Sequence, residues 1–145
     1  MIESPTDQLS GKAGLPGARQ EGDIAQCRSP VCLRLIHYWQ GLATRNNGHP
    51  EWAQVRLIDL YKIATFLAVK DVIDGGTDFL NRFWGTGRVT RTGEPEMVRG
   101  YIATIPGQEH VPYEVVHLPL WGEGGGVRQI ISAYQFGFVA EADEA

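Results

Sequence analysis

Four histidines, two cysteines, a group of aspartates and one arginine inside an aromatic segment are the side chains from which this chain could build chemistry. His37, His49, His110 and His117 include no two at the spacing of a metal-binding pair. His37 falls on a helix flank and His110 in a loop. His117 lies in an alternating segment, on the side of Tyr113 and Val115, where a structural or solvent-facing imidazole is favoured over a haem or metal ligand. Cys27 and Cys32, in CRSPVC, have no second Cys or His pair to complete a zinc site. They read as reduced thiols, with Cys32 on a buried helix face and a local disulfide as the alternative. Asp71, Asp74 and Asp78 cluster at a glycine turn, where aspartate favours turns and caps over cation binding. Gly122 to Gly126 precedes a strand and has no Lys-Ser/Thr after it, so it is a turn and not a phosphate loop. No serine stands in a nucleophile-elbow context. No catalytic residue and no metal ligand is therefore assigned.

Ligand contact is the remaining chemistry. Asn81 and Arg82 are polar residues among Phe79, Phe83 and Trp84. A guanidinium aimed at the carboxylate of a ligand or partner is the functional reading of Arg82. A solvent-facing or salt-bridged strand arginine is the ordinary one. Trp84 and Tyr101 are pocket candidates, although aromatics on strands are more often core. The candidate contact set is thus Phe79, Asn81, Arg82, Trp84, Tyr101 and His117. It implies no particular ligand or cofactor.

Composition sets the class. The chain has 145 residues, 43% hydrophobic and 21% charged, which suits one soluble globular domain. A formal net charge of −4 argues against nucleic acid, which is bound through clustered Lys and Arg. There is no apolar run of ~18 residues to span a membrane. The first residues lack a basic stretch followed by an apolar one, so a secretory signal is not expected and a cytoplasmic location is.

The elements follow from periodicity. Residues 1–28 are rich in Gly, Pro, Ser and polar residues and read as a disordered tail. Ser29-Pro30 starts a helix to about Thr44, with Cys32, Leu35, Ile36, Trp39 and Leu42 on one face. Asp59 can cap a short helix that carries Leu60 and Ile63 inward. Five strands follow: Phe66–Ile73, Asp78–Gly85, Met97–Ile105, Pro112–Trp121 and Val127–Phe138. Pro119 suggests an edge position or a bulge in the fourth. Residues 29–139 make the domain, and residues 140–145 an acidic tail. Helices first and then strands indicate an α+β fold with a mostly antiparallel sheet.

Three pieces together resemble the single-domain PAS proteins of the alphaproteobacterial type. They are LRLIHYWQGL, the run LIDLYKIATFLAVKDVIDGGTDFLNRFWGTG, and YEVVHLPLWGEGGGVRQIISAYQF. The resemblance covers most of residues 33–136. It implies a five-stranded antiparallel sheet in the order 2-1-5-4-3, helices enclosing a small-molecule pocket on one face, and a sensory or interaction role, often as a dimer through an N-terminal helix. It implies no catalysis.

The chain departs from the PAS pattern between Gly85 and Glu96, where only ten residues replace several tens of residues of helix. The second and third strands of that order stand about 19 Å apart, at ~4.8 Å per strand spacing. Ten extended residues reach roughly 33 Å, so the connection closes. Two glycines and a proline among the ten make no useful helix. The crossover helices are thus expected to be shortened or absent. Either the sheet stays open, which is preferred, or strands two and three pair and close a small barrel.

The resulting expectation is a non-catalytic PAS-like sensory or protein-interaction module of bacterial signalling, acting through a protein partner or as a homodimer. The alternative is a small-ligand-binding α+β protein or enzyme with a cavity between helices and sheet.

Overall fold

The computed structural model describes residues 19–72, 87–101, 107 and 111–137. Alternating Pro112–Trp121 forms a strand over the expected bounds and lies at the centre of the sheet. Strands β1 (Arg19–Gly22), β2 (Leu67–Asp71), β3 (Glu96–Tyr101), β4 (Pro112–Trp121) and β5 (Val127–Phe136) make one open antiparallel sheet in the order β1-β3-β4-β5-β2. The first, fifth, fourth and third strands expected from the sequence therefore lie side by side. The expected second strand, Asp78–Gly85, lies outside the described residues.

β1 corrects the last part of the expected tail over residues 1–28, of which residues 1–18 lie outside the described residues. Arg19–Gly22 pairs with Met97–Gly100 of β3. Asp23 then caps a 3-10 turn, Ile24–Gln26, accepting from the Ala25 amide at 2.9 Å, while Gln26 accepts from the Asp23 amide at 3.1 Å. Strand pairing is made by backbone groups, so RQEG joins the sheet without any apolar pattern. Its position also rules out the closed barrel at this edge: β3 is flanked by β4 on one side and β1 on the other.

The connection before β3 holds a shortened helix, one of the two expected outcomes, against the expectation that these residues make no useful one. Gly87–Thr92 is helical despite the glycine at its start. Isolated, six residues would not hold a helix, and tertiary packing supplies the difference. Val89 is fully buried, and Gly93 ends the helix at φ 71 with its amide bonded to the Val89 carbonyl at 2.8 Å.

Helix α1 (Pro30–Arg45) starts as expected, with Ser29 Oγ accepting from the Cys32 amide at 3.1 Å and Pro30 in the first turn. The helix formed by Gly87–Thr92 is α2. The apolar face of α1 holds Val31, Cys32, Leu35, Ile36, Trp39 and Leu42, and it packs across β4 and β5. Asn47 and Gly48, at φ 55 and 84, turn the chain out of the helix. Leu57–Phe66 is a kinked 3-10 segment whose Leu60 and Ile63 point into the same core, as expected. From β4, this face contributes Val116, Leu118 and Leu120.

Pro119 sits in a central strand and not at an edge, while the alternative, a bulge, is met one residue on, where the register with β5 shifts between Leu120 and Trp121. The physical reason is local: pairing with β3 ends at Glu96–His117, two residues earlier. Beyond it, the Trp121 amide bonds instead to the Pro50 carbonyl at 2.8 Å. The Pro119 carbonyl is used by α1, accepting from Trp39 Nε1 at 2.7 Å. Trp39→Phe leaves that buried carbonyl without its donor. The expected loss is about 1–3 kcal/mol of unfolding free energy, read from urea denaturation; an unchanged midpoint would show the bond to be dispensable.

Candidate functional site

Strand register brings three polar side chains into one row on the sheet face opposite α1. Glu96 of β3 is paired with His117 of β4, and His117 with Ser132 of β5. Directly paired residues point to the same side. His117 Nδ1 lies 2.7 Å from Ser132 Oγ, and Glu96, His117 and Ser132 are all buried. Arg88 of α2 reaches the row from above, its Nη1 donating to Glu96 Oε1 at 2.9 Å. Arg88 is 53% exposed and Glu96 2%, so the pair runs from solvent into the buried row. Arg88 also lines an open cleft of about 620 Å³ with Glu21, Asp23 and Glu94. From β2, Lys70 joins this face opposite Ile130, and burial pushes its ammonium pKa down.

The row offers a hydroxyl, an imidazole and a carboxylate within three adjacent strands. A Ser-His-acid nucleophile needs in addition hydrogen-bond donors for an oxyanion. Ser132 is paired on both sides, with Ala68 and with His117, so the backbone there is engaged in the sheet ladder.

A second buried polar cluster ties α1 to the other face. Glu114 is fully buried and accepts from the Arg28 amide at 2.9 Å, the Ser29 amide at 2.7 Å and Arg99 Nε at 2.8 Å. Cys27 Sγ donates to the same carboxylate at 3.3 Å. Cys32 Sγ donates to the carbonyls of Glu114 and Ala133 at 3.6 and 3.5 Å. Both cysteines are free and buried, as the reduced-thiol reading expects. Interaction with Cys32 and burial push the Cys27 pKa up, while interaction with Cys27 pulls that of Cys32 down.

The two described members of the expected contact set, Tyr101 and His117, are not brought together. Tyr101 is half-buried at the end of β3, and strand alternation puts it on the α1 side, away from His117. Phe79, Asn81, Arg82 and Trp84 lie outside the described residues, as do Asp74, Asp78 and His110. His37 is exposed, and His49 stacks on Trp121 with ring centres 4.2 Å apart. Gly122–Gly126 forms the expected turn, with the Gly122 amide bonded to the Gly126 carbonyl at 3.0 Å. An open groove of about 650 Å³ lies between α1 and the 3-10 segment, walled by Arg34, His37, Tyr38, Asp59 and Leu60. It does not include His117. Among the described residues, no group of three or more His, Cys, Asp or Glu is placed to hold a metal ion, and no helix is long and apolar enough to cross a membrane.

Sequence reasoning missed Ser132 and Glu96. Their spacing to His117 carries no signal, because only the register of three strands makes them neighbours. Compared with protein-family models, curated proteins and solved structures, the chain has no match.

Proposed function

We propose that this chain is a PAS-like sensory or protein-interaction module, cytoplasmic and without catalysis of its own. The observation that carries the reading is the strand order: the first, fifth, fourth and third expected strands are neighbours in that sequence, with α1 laid across one face. That leaves the opposite face, bearing the Glu96–His117–Ser132 row, as the side on which a ligand is sensed. Output then passes to a partner protein or a second copy of the chain. Leu57, Ile58 and Tyr61, more than half exposed on the 3-10 segment, are the kind of apolar surface that interaction sites carry.

The second reading, a small-ligand carrier, is favoured by the buried His117–Ser132 pair itself. Native mass spectrometry of freshly purified protein tests both. A sensory module is expected to appear as a dimer, with or without a bound small molecule. A carrier appears as a monomer with an adduct, and the adduct is lost in Ser132→Ala. A bare monomer at high concentration would overturn both readings.

A further inference from the structure

The open groove between α1 and the 3-10 segment Leu57–Phe66 changes character along its length. Its α1 wall is the stripe Pro30, Arg34, His37 and Tyr38, which helical spacing puts on one face. The opposite wall runs antiparallel to α1. At one end Tyr38 Oη donates to Asp59 Oδ2 at 3.1 Å. At the other, Leu67, next after the segment, pairs with Ala133, whose carbonyl accepts from Cys32 Sγ. Ile63 therefore falls toward the Val31 end. Val31, Leu60 and Ile63 are buried and floor the groove, while Arg34 and His37 stand exposed on its rim. Asp59 is engaged by Tyr38, whereas Arg34 has no ion-pair partner among the described residues. The groove thus leads from an apolar end to a basic rim.

β5 delivers the chain to the apolar end. Gln135 Oε1 accepts from Ser29 Oγ and, at 3.4 Å, from the Val31 amide. Gly137 follows at φ 69, its amide bonded to the Pro112 carbonyl at 2.8 Å, a conformation that turns the chain. The next residues are Phe138, Val139 and Ala140, and then Glu141, Asp143 and Glu144 with no basic residue among them. Residues 138–145 extend roughly 26 Å, and Pro30 to Tyr38 rise about 12 Å along the helix, so the length suffices.

We propose that residues 138–145 dock in this groove of their own chain, with Phe138 and Val139 at the Val31–Ile63 end and the carboxylates along Arg34 and His37. Apolar residues come first in the segment and acids second, the order in which the groove passes from apolar floor to basic rim. The two other long stretches outside the described residues start elsewhere. Residues 1–18 lead into β1, at the far rim of the sheet. Residues 73–86 follow the end of β2 that meets Gln129, away from Ala133. Burial of the Phe138 ring supplies the affinity, and the carboxylates set the orientation. Docked in this way, the segment fills the groove from within and closes it to an outside ligand.

The test uses the full chain, isotope-labelled for NMR, at a low and a high concentration. The expected result is a set of nuclear Overhauser contacts from the Phe138 ring to the methyl groups of Val31 and Ile63, with the same intensity at both concentrations. Arg34→Glu is expected to weaken these contacts at least about twofold, the scale on which one exposed ion pair acts. Glu141→Lys, Asp143→Lys and Glu144→Lys, added together to Arg34→Glu, are expected to restore them, which a merely unfolded variant would not do. Four results would overturn the proposal: no contact between Phe138 and the groove, contacts that appear only at high concentration and so join two copies, contacts unmoved by Arg34→Glu, or contacts that the reversed segment does not restore.

Discussion

Replacing Glu114 with alanine is expected to lower the unfolding free energy by about 3–5 kcal/mol, the largest loss from any single site described above. The carboxylate is fully buried and receives the Arg28 and Ser29 amides, the Cys27 thiol and the Arg99 guanidinium. Alanine strands all four donors at once. Arg99 is 27% exposed, so water recovers part of its charge. The Ser29 amide, fully buried at the head of α1, has no such recourse, and unpaired buried donors are expensive. Glu114→Gln keeps the shape and one acceptor oxygen, so its loss is expected to be smaller. Urea denaturation of the two variants checks the order. Equal losses would mean that the site needs volume and not charge.

Leu118→Ala is the second large effect, about 2–5 kcal/mol. Leu118 is fully buried in the core cluster between α1 and the sheet. Its removal costs the transfer energy of the lost methyl groups and leaves a cavity that a central strand cannot collapse to fill. Phe136 is the internal control. It is 52% exposed at the end of β5, so Phe136→Ala is expected to cost much less despite the larger side chain. Thermal unfolding of both variants separates burial from size. A Phe136→Ala loss equal to that of Leu118→Ala would contradict the assignment of the core to the α1 face.

Much of this architecture is legible in the sequence because it rests on repeating apolar spacing. Leu35, Ile36 and Trp39 announce the buried face of α1, and Val116, Leu118 and Leu120 announce that of β4. Alternation even puts Glu114 on the inward side, though not what receives it there. Its partners Arg28 and Ser29 lie more than eighty residues away. β1 escapes notice because RQEG has no apolar alternation and its pairing with β3 is made by backbone groups. The Glu96–His117–Ser132 row escapes for another reason: three residues on three strands become neighbours through register, and no local pattern encodes register between strands. Pro119 signals the irregularity that follows it, a register shift at Leu120–Trp121, but not a sheet edge, because a proline's tolerance depends on where the neighbouring strand stops and not on whether its own strand is central.

The strand order also bears on how the chain finds its fold. β3, β4 and β5 are consecutive in sequence and adjacent in space, so their pairings close over short stretches of chain. Both rims are different. Leu67 on β2 meets Ala133, and Glu21 on β1 meets Val98, each across more than about sixty residues. Loop closure over such lengths comes before any contact compensates for it. The central meander is therefore the natural nucleus, and mutations at the rims should act chiefly on the unfolding rate. The molecule assembles from its middle outward, and the first and last strands of its own sheet are the latest to arrive.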